Sequence, residues 1–424
     1  MTQNDAKPDK EYVMKKRCFW PLLLCTFFCC WNLPLFAQKR KVAASRPRVI
    51  VLGVNGAEWD ILKPLLVRGE MPNLARVIQQ GVSGKLRTVS APNCPKVYSI
   101  FATGAASEEN GISGFLVGGV TASSAMLKLP AFWSELSNNG VTVGLANVPA
   151  TFPVKPVNGY MISGMLTRGT NCEDGLLCSP KLSEVHGGEA VYPSPLKSEL
   201  EANVGDLPID CARMPQEREL LAHEPTVVHD WLEQVSHIRE QQMKLFDYLL
   251  TNHPTDFTFL VQSCEDRVGH WLYPIQPYNV GYNAKLHTLA VDAFPNQYRA
   301  LDKVLGSILQ HVDENTTVFV ISDHGIKPLR EIESHMAHRD HAGTTPIIAK
   351  HDFEDGDDVP GVFIAMGPGI KKGVRVMGLS MSVYDIAPTV LHVYGLPVSD
   401  QMRGRALTEI FESSSPRREL SANH

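Results

Sequence analysis

Six short apolar runs separated by helical stretches constrain this chain more than any other feature. RVIVLGV (Arg48 to Val54), VTVGLANV, YMISGM, DFTFLVQ, TTVFVISD and GVFIAMG are rich in β-branched and aromatic residues. Near-continuous apolar runs of this length suit strands buried on both faces, the situation of a largely parallel sheet. Between them, WDILKPLLVRG and MPNLARVIQQG place apolar residues at helical spacing, with Leu74, Val77 and Ile78 on one stripe and Gly81 as the expected C-cap. PKVYSIFATG reads as a helix opened by Pro95, and REQQMKLFDYLL and RALDKVLGSILQHV read as two more. Strands alternating with helices predict an α/β fold of three layers, α/β/α, around a largely parallel central sheet. The stretch 166–228 is rich in Pro, Gly, Cys and polar residues and has no clean period. It is expected to be an insertion or lid inside a domain covering 48–420.

The amino terminus has a different character. A Lys15-Lys16-Arg17 head, an apolar run from Cys18 to Trp31 and a small residue at Ala37 form the pattern of a secretory signal within residues 1–37. The run is short for a membrane span, which takes about 20 apolar residues. Leu35 at the −3 position keeps an uncleaved signal anchor open as the alternative. Either way the rest of the chain is expected outside the cytoplasm, secreted or periplasmic, with membrane contact only through such an anchor. The formal charge of −5 gives no global reason to expect a nucleic-acid duplex as partner.

Five cysteines follow the signal: Cys94, Cys172, Cys178, Cys211 and Cys264. An oxidising compartment permits pairing, and Cys172 with Cys178 is the obvious local loop. An odd count leaves at least one thiol unpaired within a monomer. Cys94 is embedded in a pattern that opens a helix.

Polar groups directly after strands lie where open α/β sheets present ligands, at the strand carboxyl ends. Asn55, Asp266 and the pair Asp323–His324 occupy such places. Asp266 and His270 are one helical turn apart, and carboxylate with imidazole suits zinc or another divalent transition metal; a surface salt link is the plainer alternative. Asp323 and His324 leave an apolar strand at a glycine turn, which serves either a ligand pair or an Asx-type turn. His335, His338, His341 and His351 crowd a later stretch, and spacing does not choose among them.

These blocks, in this order from about Arg48 to Leu407, resemble the type I phosphodiesterase/nucleotide pyrophosphatase family of the alkaline phosphatase superfamily. The resemblance is carried by VIVLGVNGAEWDILKPLLVRGEMPNLARVIQQGVSGKLRTVSA, YSIFATGAASEENGISGF, DRVGH, SDHG, GVFIAMGPGIKKG and DIAPTVLHVYGLPVSDQMRGR. It implies a hydrolase of phosphate esters, of phosphodiester or nucleotide type, that holds two divalent metal ions, usually zinc. One ion would be held by Asp266, His270 and His351, and the other by Asp323, His324, Cys94 at the nucleophile position and Asn55 at an aspartate position.

Two of these places depart from the family pattern. Asn55 keeps an oxygen donor but removes a charge beside a dication, so the second metal site is expected to be weak or empty. Cys94 offers sulfur, a ligand zinc favours, where the family places a hydroxyl nucleophile. Asn110 replaces a histidine of the family. Glu58 and Asp60 are the nearest substitute carboxylates, but a helix starting near Trp59 is expected to aim them elsewhere. Ser99 is expected to pack or to bond the preceding turn. Lys96 is a candidate for attracting an anionic substrate from the helix start, or is simply solvated. A catalytically impaired binding protein on the same scaffold, and a related sulfatase or phosphonate hydrolase, are the alternative functions.

Overall fold

A computed structural model describes residues 46–170, 172, 179–185, 189–212, 225–272, 284–327 and 359–413. Five parallel strands form the middle of one large sheet: β1 (Arg48–Val54), β5 (Val143–Asn147), β6 (Gly159–Gly164), β8 (Phe257–Gln262) and β9 (Thr316–Ile321). β2 (Gly81–Arg87) and β10 (Gly361–Met366) extend one side and β7 (Val191–Tyr192) closes the other. A minor hairpin, β3 (Leu116–Val117) with β4 (Val120–Thr121), stands apart, and β11 (Val374–Arg375) and β12 (Met381–Ser382) each pair with β2. The spatial order β11-β2-β10-β9-β1-β8-β5-β6-β7 puts β1 at the centre, flanked by β8 and β9. The carboxyl ends of these three strands therefore lie side by side.

Each central strand feeds two cores, because successive side chains point to opposite faces. Ile50, Leu52 and Val54 join a core with α1 (Trp59–Val67), α2 (Pro72–Gln79), α7 (Pro225–Asn252) and α9 (Ala284–Leu309). Val49 and Val51 join the other, with α3 (Cys94–Thr103), α5 (Phe132–Asn138) and α10 (Ile386–Val393). This is the expected three-layer α/β/α arrangement. Among the described residues, no helix is long and apolar enough to cross a membrane.

Gly81 is not a helix cap. The cap of α2 is Gln80, and Gly81 begins β2, where a Cβ would stand 2.0 Å from the Ala365 carbonyl oxygen of β10. The glycine serves a close approach of two strands. β2 itself carries no apolar run, so it is invisible to a search for one.

Within 166–228, the described residues include β7, which pairs antiparallel with β6, and α6 (Pro195–Asn203), whose Leu196 and Leu200 are buried in the first core. Cys211 forms a disulfide with Cys264, closing a span of 53 residues. Chain entropy assigns such a loop about 4 kcal/mol of stabilisation. Cys172 is also disulfide-bonded; Cys178 lies outside the described residues. Cys94 is a free, buried thiol.

Candidate metal centre

Three strand exits build the site. After β1, the Asn55 backbone N–H donates to the Gln262 carbonyl (2.9 Å), so the β1 and β8 exits run together. Gly56 follows at φ +71°, its N–H donating to Asp323 Oδ1 (3.2 Å). A Cβ on Gly56 would lie 2.9 Å from Asp266 Oδ1. Only glycine meets both the left-handed backbone and the crowding. The same residue thus touches the β8 group on one side and the β9 group on the other.

Ser322 ties the third exit to the first. Its Oγ accepts from Ala57 N–H (2.9 Å) and donates to the His324 carbonyl (2.6 Å). His324 Nδ1 lies 3.1 Å from the Gly325 carbonyl, which can only accept, so Nδ1 carries the proton. Nε2 is left facing Asp323 Oδ2 at 3.1 Å and Cys94 Sγ at 3.7 Å. One donor atom each from Cys94, Asp323 and His324 lie within 4.8 Å of one another, and all three residues are buried. Cys94 is placed by α3, where the Asn93 side chain accepts from Lys96 N–H and Gly104 at φ +65° ends the helix.

Beside this trio, α8 (Cys264–Leu272) carries Asp266 and His270 on one face, with Nε2 to Oδ1 at 3.5 Å. Asn55 is fully buried, and among the described residues neither its Oδ1 nor its Nδ2 has a hydrogen-bond partner. A buried amide without a partner is costly, and a coordinated cation would satisfy the Asn55 oxygen. The structure therefore groups Cys94, Asp323 and His324, and it places Asn55 and the Asp266–His270 pair at the neighbouring strand exits rather than within that group. His351 lies outside the described residues, as do His335, His338 and His341.

Burial and the neighbouring carboxylates set the electrostatics. Burial pushes the Cys94 thiol well above its ordinary value, and Asp323 and Asp266 push it further. Burial opposes a charged His324 ring, yet Asp323, with Asp266 behind it, brings that imidazole up to about 9. Negative charge is concentrated in a dry place, which is where a divalent cation is best compensated. The donor set of one thiolate, one imidazole, carboxylates and an amide oxygen fits zinc.

Other candidates are drawn elsewhere. The Lys96 ammonium donates to the Ser90 carbonyl (2.6 Å). Glu58 caps α1 and, with Asp60, pairs with Lys327, and neither carboxylate is part of the Cys94, Asp323 and His324 group. Ser99 donates to the Lys96 carbonyl one turn back (2.7 Å), the expected local use. Asn110 is buried with its amide fully used: Nδ2 donates to the Ala105 carbonyl, and Oδ1 accepts from Ile112 N–H. It braces the turn after α3.

Sequence reasoning missed Gly56, Ser322 and Tyr98. Tyr98, one turn beyond Cys94, is buried with its hydroxyl unpartnered among the described residues, and burial followed by Asp323 and Cys94 raises its pKa. The i, i+4 spacing from Cys94 was its available signal.

The family model described as type I phosphodiesterase/nucleotide pyrophosphatase matches residues 49–369. The chain belongs to that family. A curated relative, the extracellular sulfatase SULF-1 homolog of Drosophila melanogaster, is 24% identical over 174 residues, 41% of this chain and only 14% of that protein. Among solved structures, BT4656 in complex with its substrate D-glucosamine-2-N,6-O-disulfate superimposes with a TM-score of 0.53 at 12% identity, covering 87% of this chain and 80% of the other. Human ectonucleotide pyrophosphatase/phosphodiesterase 5 gives 0.47 at 14% identity, covering 86% and 100%. At such identities, structural likeness speaks for the fold, and this family member has an alkaline phosphatase-like one.

Proposed function

We propose that this family member is a metal-dependent hydrolase of phosphate esters, with phosphodiesters or nucleotide-type molecules as substrates. One observation carries the reading: donor atoms of Cys94, Asp323 and His324 meet within 4.8 Å, beside a glycine, Gly56, that bonds Asp323 and packs against Asp266. Asn55, Cys94, Asp323 and His324 would hold one divalent ion, zinc by the chemistry of the set. Asp266 and His270, joined by His351, would hold the other. Bound there, the ions supply Lewis acidity toward a phosphoryl oxygen. The protein's own contribution is to fix the donors at three adjacent strand exits and the start of α3, and to bury Cys94, Asp323 and His324 away from bulk water.

Cys94 has two roles open, ligand and nucleophile. Burial and its carboxylate neighbours raise the pKa of the thiol in the metal-free protein, which disfavours the thiolate that ligation and attack both require. A neutral amide at position 55 weakens the same ion. These two observations favour a second reading, a binding protein with impaired turnover. Residues 1–37 act as a secretory signal in this account, consistent with the extracellular name of the curated relative. The domain of 48–420 then works secreted or periplasmic, and the segment 166–228 is the proposed source of selectivity.

Metal analysis of the purified protein, combined with hydrolysis of aryl phosphodiester, phosphomonoester and sulfate, tests the proposal. Bound zinc with phosphodiester turnover that is lost in Asp323→Ala supports it. Zinc without turnover selects the binding reading, and sulfate turnover alone selects a sulfatase. Loss of turnover in Cys94→Ala would assign the thiol a direct part.

A further inference from the structure

Asp266 and His270 sit on a helix whose first residues are fastened in an unusual way. Ser263, immediately before α8, donates its hydroxyl to Asp210 Oδ1. Cys264, the first residue of the helix, is bonded to Cys211. Arg267 is paired with Asp210 Oδ2. Both oxygens of one carboxylate and the adjacent disulfide thus grip positions −3, −2 and +1 relative to Asp266. All five gripping residues are buried, none more than 5% exposed. At position −1, Glu265 is held by Arg239, which also donates to Gln297 Oε1 (2.8 Å).

The arm that carries Asp210 is itself braced. Asp210 N–H donates to Ser179 Oγ (2.9 Å), Ser179 donates back to the Asp210 carbonyl (2.6 Å), and Ile209 N–H donates to the Pro180 carbonyl (3.1 Å). Stability gives a reason for the disulfide but little for the Asp210–Arg267 pair, because a buried ion pair contributes about as much as well-packed apolar residues of the same volume. Position gives a reason. Asp266 must stand close to Asp323 across Gly56, and two carboxylates in a dry site repel each other until a cation arrives.

We propose that the Asp210–Cys211 pair is a positioning clamp for the ligand helix, holding Asp266 and His270 toward the Asp323 group before any ion binds. The pair belongs to the segment 166–228, so that segment reaches the candidate centre from behind as well as contributing to the fold. The proposal rests on the reading of Asp266 and His270 as ligands, but its first test does not need metal.

Hydrogen exchange on the full chain, metal-free, compares wild type with Asp210→Asn, which keeps the disulfide and the side-chain shape. Protection across 264–272 should fall while that of β9 stays as in wild type. Arg267→Gln, approaching the same pair from its other side, should reproduce the pattern and guards against a local artefact of one variant. Unchanged protection at 264–272 in both variants, or an equal loss in 264–272 and β9, overturns the clamp. Zinc titration by competition with a chromophoric chelator is the second readout: one of two ions should bind about tenfold more weakly in Asp210→Asn, the low end of the effect of an outer partner of a ligand. Wild-type affinity for both ions in the variants overturns the clamp. Failure of the wild-type protein to bind zinc at all defeats the hydrolase reading instead, and the exchange comparison still decides the clamp.

Discussion

The two halves of the candidate centre are built in opposite ways. Cys94, Asp323 and His324 come from a helix start and a strand exit that are far apart in sequence, and every donor is fully enclosed. Asp266 and His270 come from one turn of one helix, and the His270 side chain keeps 19% of its surface. The first half is fixed by the sheet, since β9 and β1 are in register and Gly56 and Ser322 stitch their exits together. The second is fixed by covalent and ionic fastening of the helix that bears it. A strand exit inherits the rigidity of its ladder, whereas a nine-residue helix beyond the carboxyl end of β8 needs its own anchor. Both departures from the family pattern, Asn55 and Cys94, fall on the enclosed half.

The largest effect expected from this contrast is on metal retention. Asp323→Ala should weaken zinc at the enclosed half by more than about 100-fold, beyond the range for an outer partner, while His270→Ala leaves that ion in place. Equal loss of both ions in either variant, read by competition titration, would erase the distinction between the halves. Next comes the anchor: replacing Cys211 and Cys264 together by Ser should cost about 4 kcal/mol in denaturant unfolding. A change below about 1 kcal/mol would mean that the cross-link constrains little of the unfolded chain.

Asn55→Asp restores a carboxylate to the enclosed half. It should tighten zinc there and raise phosphodiester turnover, each by about tenfold if one further charge is worth about 1.4 kcal/mol. Unchanged affinity would show that position 55 does not face the ion. The smallest effect concerns the neighbouring Glu58, whose pKa burial raises against the pull of Lys327. A carboxyl raised in the folded state favours folding most below its unfolded pKa, and that contribution disappears as pH climbs through the folded value. The Tm of Glu58→Gln relative to wild type should therefore increase from about pH 4.5 upward, by no more than about 2 °C. A difference independent of pH would show that Glu58 titrates as it does in the unfolded chain.

Much of this was legible in the residues. RVIVLGV, DFTFLVQ and TTVFVISD announce three buried strands, and their exits carry Asn55, Asp266 and Asp323–His324, so strand position and residue type together locate the centre. β2 was not legible, because GVSGKLR earns its place by close backbone approach at Gly81 and not by apolar side chains. The pairing of Cys211 with Cys264 was hidden for a related reason. Sequence proximity favours Cys172 with Cys178, while the bond to Cys264 depends on the strand order that brings residue 211 beside the β8 exit. Gly56 and Ser322 act through backbone groups, and a reading based on side-chain chemistry passes over them. His351 is assigned by resemblance alone and lies outside the described residues.

The central claim is that a sulfur atom belongs to the cation group, and X-ray absorption at the zinc edge on the purified, zinc-loaded protein tests it most directly. The expected spectrum shows a zinc–sulfur distance of about 2.3 Å, with a sulfur contribution matching one ligand on one of two ions that disappears in Cys94→Ser. Bound zinc surrounded only by nitrogen and oxygen in the wild-type protein would contradict it.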